Sequence, residues 1–125
     1  MNILAIDYGT KRIGLAWVQL GLGVVLPYGI IEKPTLQGQV QAVVELIEKE
    51  GIDTLVVGLP LGLNGKENEN TERVHAFVLA LKKAKEISVE FIDERFSSKQ
   101  ADVMGGDASR DEKAAMVLLQ NYLAN

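Results

Sequence analysis

Apolar positions near the start of the chain fall in short runs that are rich in β-branched residues and too brief for helices. Such runs, separated by glycine-containing connections, predict three strands that pair as antiparallel neighbours. The third run contains Pro27, which cannot donate a hydrogen bond to a neighbouring strand, so this run is predicted to be an edge strand or a bulged one. The three predicted strands are Asn2–Tyr8, Arg12–Gln19 and Gly23–Glu32.

Beyond these strands the apolar positions take up a helical period. A helix is predicted from Pro34-Thr35 to about Glu50, because its valines and an isoleucine recur at i, i+3, i+4 and i+7. Gly51 suits the position just after a helix. The run Asp53–Leu59 is apolar on both faces, which is typical of a central strand parallel to its neighbour. Pro60–Asn70 is rich in glycine and asparagine and is predicted to be a mobile loop.

The last third of the chain continues this alternation of helix and strand. Asn70 or Thr71 is predicted to cap a second helix, whose apolar residues again form one stripe. Two later segments carry the Ser-x-x-Gln or Ser-x-x-Glu pattern of a helix start. The remaining predicted elements are a strand at Ser88–Asp93, a short helix from Ser97 that Gly105-Gly106 breaks, and a last helix from Ser109 to about Leu123.

This order of elements predicts one domain of the α/β class over residues 1–125. An antiparallel meander of three strands is followed by two strands that helices connect. Such connections give parallel strands, so the predicted sheet is mixed, with five strands and with helices on its faces.

Asp7 is the first candidate for a functional role, because it ends the first predicted strand and faces a turn through Gly9 and Thr10. A carboxylate at such a strand end suits a metal ligand or a phosphate site. The alternative is an aspartate that only stabilises a hairpin turn. We favour the functional interpretation, and the further carboxylates of the chain bear on it.

Three more acids are predicted to lie near Asp7. Asp93 and Glu94 end the last predicted strand, and Asp111 lies in the first turn of the last helix. Parallel strands bring their carboxyl ends to one edge of the sheet. Carboxylates that cluster there repel each other, so they need a cation, and ligands that are all oxygen favour Mg²⁺ or Mn²⁺. Strand alternation allows only one of the adjacent pair to face the site, and we expect Glu94, with Asp93 as its substitute. Asp111, taken alone, could simply offset the helix dipole.

Positive charges accompany each of these acids along the chain, and the loop before the second helix adds one more. Such pairing suits a site that holds a polyanion against a metal ion, although each cation could equally be a solvated counter-charge. The candidate substrate-binding residues are Lys11, Arg12, Lys66, Arg95, Lys99 and Arg110.

Composition limits the classes of protein that remain. A net charge of −4 argues against a protein that coats nucleic acid by bulk charge. The absence of cysteine excludes disulfides and thiolate metal sites. The chain shows neither the pattern of a signal peptide nor an apolar stretch of the roughly 20 residues that a bilayer span needs, so we expect a cytoplasmic protein without a membrane partner.

Four sequence blocks, in order, make the chain resemble the YqgF/RuvX family of small bacterial proteins. Together they cover nearly the whole chain and are specific, although each alone is weak. The blocks are Asp7–Ala16, Val56–Leu61 with Asn64-Gly65, Asp93–Ser98, and Asp111–Ala115 with Leu118–Leu123.

The resemblance implies a three-layer α/β/α fold of the RNase H-like type and a single nuclease domain over residues 1–125. Family members are described as Holliday junction resolvases or as nucleases that mature ribosomal RNA precursors. Carried over to this chain, the family's acidic site falls on Asp7, Glu94 and Asp111, with Mg²⁺ or Mn²⁺ as the cofactor. Structured RNA or branched DNA is then the expected partner of a monomer or a homodimer.

The chain departs from the family pattern in ways that keep other functions open. Trp17-Val18-Gln19 stands where members often carry Ser-Asp, and the fourth predicted strand has no acid after Asp53 at its start, unlike that of the related RuvC resolvases. One alternative is therefore a non-catalytic module that binds nucleic acid or protein. Another is an ATP-phosphate-binding module, because Asp7-Tyr8-Gly9-Thr10 also resembles the first phosphate-binding turn of the actin-like ATPases.

Overall fold

The computed structural model describes residues 1–94 and 97–124, and for residues 97–99 it describes the backbone alone. The strands are β1 (Asn2–Asp7), β2 (Arg12–Gln19), β3 (Val25–Glu32), β4 (Thr54–Leu59) and β5 (Ser88–Asp93). The helices are α1 (Leu36–Glu50), α2 (Glu69–Ala84), α3 (Ser97–Val103) and α4 (Arg110–Ala124).

All of these strands belong to one sheet with the order β3-β2-β1-β4-β5. β1 pairs antiparallel with β2, which pairs antiparallel with β3. On its other side β1 is parallel to β4, which is parallel to β5. The predicted mixed sheet is therefore confirmed, and β1 is its central strand.

β3 is an edge strand with a bulge, as the proline in its sequence predicts. Leu15 of β2 lies opposite Gly29, whereas the next residue, Ala16, lies opposite Pro27. Tyr28 is thus the extra residue of the bulge. The bulge lets the strand accommodate a proline that has no N–H group for the ladder.

Helices cover both faces of the sheet and complete the three-layer arrangement. On one face Leu4 and Ile6 of β1 pack in a cluster with Val43 of α1 and Phe77 of α2. The intervening residues of β1 point to the opposite face, because strand side chains alternate. There Ile3 and Ala5 pack with residues of α4 that include Ala115 and Leu119.

The caps explain where two of the helices begin and end. Thr35 caps α1 by accepting a hydrogen bond from the amide of Gly38 at 3.0 Å, and Gly51 ends it in the left-handed region with φ of 62°. The predicted start of the second helix is wrong: Asn68 is its cap, not Asn70 or Thr71. Thr71 completes a capping box in which glutamate or glutamine is the usual partner, so the common form of the box does not mark Asn68 in the sequence.

None of the helices within the described residues is long and apolar enough to cross a membrane.

Candidate active site

Asp7 lies at the carboxyl end of β1, on the face of the sheet that α4 covers. It occupies the same side of the strand as Ile3 and Ala5 because strand side chains alternate. Its partner in β2 is Gly14, and the β1–β4 register places Gly58 beside it on the other side. A glycine therefore stands on each neighbouring strand, and Asp111 over Gly14 and Glu94 over Gly58 occupy the space that a side chain would fill.

Glu94 reaches Asp7 by crossing β4. The chain leaves β5 at Asp93, and the amide of Glu94 donates to the carbonyl of Leu59 at 3.1 Å, which holds this turn against the end of β4. A Cβ atom on Gly58 would lie only 2.4 Å from Oε2 of Glu94. The absence of a side chain at Gly58 therefore allows the Glu94 side chain to pass over β4 and form a hydrogen bond with Asp7.

Asp111 approaches from above, at the start of α4. A Cβ atom on Gly14 would lie 2.0 Å from the carbonyl oxygen of Asp111, so only glycine lets the first turn of α4 rest directly on β2. The carboxylate of Asp111 is close enough to act on the charge of Asp7, and its Oδ2 lies 3.1 Å from Nε of Arg12. Asp111 thus lies near the Asp7–Glu94 pair and forms an ion pair with the guanidinium of Arg12.

Burial dominates the electrostatics of the carboxyl pair. It raises the pKa of Glu94 to about 9, and the hydrogen bond to Asp7 and the negative charges of Asp7 and Asp93 act in the same direction. Burial also raises the pKa of Asp7, although the hydrogen bond from Glu94 opposes this. Burial therefore favours the protonated form of Glu94, whose side chain forms the hydrogen bond with Asp7.

The donor set at this edge suits a hard divalent cation. Oε2 of Glu94 is buried and has no hydrogen-bond partner, which leaves an anionic oxygen without compensation once the proton is lost. Carboxylate oxygens without sulfur or imidazole are the ligands of Mg²⁺ rather than Zn²⁺. Among the described residues, however, no three acidic, histidine or cysteine side chains are already gathered as a metal set. Asp93, the predicted substitute for Glu94, has an exposed side chain.

The predicted substrate-binding cations fall in different places. Lys11 and Arg12 line an open cavity of about 530 Å³ together with Asp111. Arg110 instead forms an ion pair with Asp102, its Nε lying 2.9 Å from Oδ1. Arg95 and the side chain of Lys99 lie outside the part of the chain that the structure describes. Lys66 is exposed in the loop between β4 and α2.

The turn that follows Asp7 is fixed by Gln39, a residue that the sequence analysis missed. Gln39 is 1% exposed, and its Nε2 donates to the carbonyl of Thr10 at 3.1 Å. Its Oε1 accepts a hydrogen bond from the hydroxyl of Tyr8 at 2.8 Å. A polar residue on the buried stripe of α1 was the available signal.

Arg73 is a second residue that the sequence analysis missed. It lines a cavity of about 290 Å³ on the α2 side of the carboxylates, together with Tyr8 and Glu94. No motif marks it, because only the packing of α2 beside the end of β1 brings its side chain to the site.

A mixed five-stranded sheet, with helices on both faces and acids at the carboxyl end of its central strand, defines the RNase H-like class of proteins. Comparison with solved structures agrees with this fold. RuvC of Thermus thermophilus in complex with a Holliday junction substrate aligns with a TM-score of 0.67 at 16% identity, over 99% of this chain and 94% of that one. The Holliday junction resolvase of fowlpox virus aligns with a TM-score of 0.59 at 12% identity, over 99% of both chains.

Within this class the chain belongs to the RuvX family, because the family model described as "RuvX: Holliday junction resolvase" matches residues 1–125. A protein of Thermus thermophilus named "Putative pre-16S rRNA nuclease" is 38% identical over 133 residues, which cover 99% of this chain and 98% of that protein. A protein of Maridesulfovibrio salexigens with the same name is 32% identical over the same proportions. The resemblance found in the sequence blocks is confirmed.

Proposed function

We propose that this chain is a metal-dependent nuclease that hydrolyses phosphodiester bonds in structured nucleic acid, with residues 1–125 acting as one nuclease domain. The observation that carries the proposal is the Asp7–Glu94 pair: two partly buried carboxyl groups are joined by a hydrogen bond at the carboxyl edge of the sheet, and the buried Oε2 of Glu94 has no hydrogen-bond partner. Such a pair costs stability, because desolvation penalises an ionisable group that is removed from water, and groups perturbed in this way cluster at functional sites.

Asp7 and Glu94 would hold a Mg²⁺ or Mn²⁺ ion, and Asp111 would complete the ligand set. When bound, the ion would lower the pKa of a water molecule and neutralise charge on the phosphate. The residues of the chain would hold the ion and position the substrate. Glu94 would release its proton to solvent so that both carboxylates could act as ligands, and Lys11 and Arg12 would hold the phosphate backbone of the substrate beside them.

The small-subunit ribosomal RNA precursor is the substrate we favour, processed near its 5′ end. The relatives named for this activity are 32% and 38% identical over nearly the whole chain, whereas the junction-cutting proteins share the fold at 12–16% identity. RNA processing needs one site and suits a monomer in the cytoplasm. Resolution of a Holliday junction is the second candidate, and two symmetric cuts would require a homodimer.

A non-catalytic binding module is the alternative that one observation favours. Arg12 neutralises Asp111, and among the described residues the acids are not yet assembled as a metal set. In this alternative the cations would bind nucleic acid while the carboxylates carried out no chemistry.

Cleavage of labelled substrates tests the proposal. Precursor ribosomal RNA, a four-way DNA junction and duplex DNA are incubated side by side with Mg²⁺, with Mn²⁺ and with EDTA. We expect metal-dependent cleavage of the precursor, its loss in Asp7→Asn, and full activity in the exposed control Glu86→Gln. Binding without cleavage under every condition would favour the non-catalytic module, and equal activity in Asp7→Asn would refute the assigned site.

A further inference from the structure

Two separate cavities flank the turn that follows Asp7. Both are lined by Gly9 and Thr10, so this turn forms the ridge between them. The first cavity contains Asp111 and the cations Lys11 and Arg12, which the proposed function already uses. The second lies on the side of α2 and has no assigned role. Its lining residues are Tyr8, Gly9, Thr10, Pro60, Asn70, Arg73 and Glu94.

Arg73 gives the second cavity its positive charge. Among the described residues that line this cavity it is the one basic side chain, and it lines the same space as Glu94. Burial raises the pKa of Tyr8, and the positive charge of Arg73 opposes this rise, so the guanidinium acts electrostatically on another residue of the cavity lining. A cation in this position would offset the repulsion between the acidic cluster and a phosphate.

Local contacts hold the guanidinium while leaving donors free for a ligand. Nη1 of Arg73 donates to Oδ1 of Asn70 at 2.7 Å, and Nη2 lies 3.6 Å from Oε2 of Glu69. The ion pair is exposed and weak, since it is an i, i+4 pair on the helix surface. Arginine has five N–H donors in a planar fork, so these two contacts do not exhaust its capacity.

We propose that Arg73 binds a phosphate of the substrate strand, next to the phosphate that is cleaved, in a subsite that it forms with Thr10 and Asn70. The inference rests on the proposed function and extends it. A strand whose scissile phosphate lies at the carboxylates has neighbouring phosphates on both sides. Lys11 and Arg12 bind the phosphate on one side of the scissile phosphate, and Arg73 binds the phosphate on the other side. The strand therefore crosses the ridge formed by Gly9 and Thr10.

The salt dependence of binding tests this subsite without requiring cleavage. A single-stranded RNA with a 5′-hydroxyl end is titrated by fluorescence anisotropy across a salt series, in EDTA and again with Ca²⁺. Each phosphate contact with a single strand contributes about 0.7 to the slope of log K against log salt. We expect Arg73→Gln to reduce the slope by about 0.7 and the affinity about ten-fold, the loss expected for one charged hydrogen bond.

Two further variants separate a phosphate contact from a general effect of charge. Arg73→Lys keeps the charge but not the planar fork, so we expect it to retain the slope and lose part of the affinity. Lys83→Gln removes the same charge from an exposed position in the last turn of α2 and should bind like the unaltered protein. A thermal melt of each variant shows whether its fold is retained.

The outcomes distinguish the subsite from the proposed function. If Arg73→Gln keeps the slope and affinity of Lys83→Gln while Asp7-dependent cleavage persists, the subsite is refuted and the nuclease stands. If the unaltered protein does not bind the single-stranded RNA in EDTA or with Ca²⁺ while metal-dependent cleavage of the precursor persists, the subsite is refuted and the nuclease stands. An equal loss of slope in Lys83→Gln would also overturn the subsite, because the effect would then be one of net charge.

Discussion

Glu94→Gln should make the metal-free protein more stable at neutral pH, although it alters a residue that we place in the active site. The glutamate carries a buried group with a pKa of about 9, against its ordinary value of 4.5. Between these values the unfolded chain releases a proton that the folded chain keeps. The folded state therefore loses relative stability as the pH rises from 4.5 toward 9. Glutamine cannot ionise and is free of this loss.

The magnitude follows from the size of that interval. Each pH unit above 4.5 costs the folded state about 1.4 kcal/mol, so the penalty at pH 7 reaches at most about 3 kcal/mol. For a chain of 125 residues this corresponds to a rise in Tm of up to roughly 10 °C. Glutamine also keeps an N–H donor for Asp7, so the hydrogen bond that joins the two side chains can be retained.

Thermal unfolding in EDTA over pH 4 to 8.5 measures the effect, with Glu86→Gln as the exposed control. The gain from Glu94→Gln should vanish near pH 4.5 and increase with pH, whereas the control should show no such trend. Adding Mg²⁺ should narrow the difference, because an ion that binds the folded state stabilises the unaltered protein more. A loss of stability at pH 8, or a gain that does not depend on pH, would refute the reasoning.

Three further substitutions follow from the packing of the site. Gly14→Ala places a Cβ atom 2.0 Å from the backbone carbonyl of Asp111, so urea unfolding should show a loss of about 2–3 kcal/mol and α4 should be displaced. Gly58→Ala presses on Oε2 of Glu94, and nuclease assays should show a loss of about 100-fold, the cost of a misplaced group. Gln39→Leu removes the partner of the partly buried Thr10 carbonyl and Tyr8 hydroxyl, so calorimetry should report a loss of about 1 kcal/mol in the free energy of unfolding. Unchanged stability would show that Gln39 does not stabilise the turn.

Much of the fold could be predicted because the two hydrophobic periods are strong and the connections are short. Strand alternation placed β1 and β4 in the core, and the proline of β3 indicated the bulged edge. The start of α2 was missed because its capping box uses Thr71, which lies outside the usual pattern. A prediction that depends on the common residue types of a capping box does not find one that uses threonine.

The site could be predicted only in outline. The rule that parallel strands end at one edge brings Asp7 and Glu94 together, but it does not show that Glu94 crosses β4 above a glycine. Nor could sequence spacing reveal Gln39 beneath the turn or Arg73 across it. These contacts join elements that are distant along the chain, so they depend on how helices pack rather than on local pattern.

The position of Asp7 in the central strand has a consequence for inactivation. Its strand is hydrogen-bonded on both sides, whereas Glu94 follows the outermost parallel strand and Asp111 lies at a helix start. Mild denaturant should therefore disperse the two peripheral acids while the middle of the sheet is still intact. Nuclease activity should be lost at a lower urea concentration than the far-ultraviolet circular dichroism signal. Amide protons around Asp7 should be among the last to exchange with deuterium.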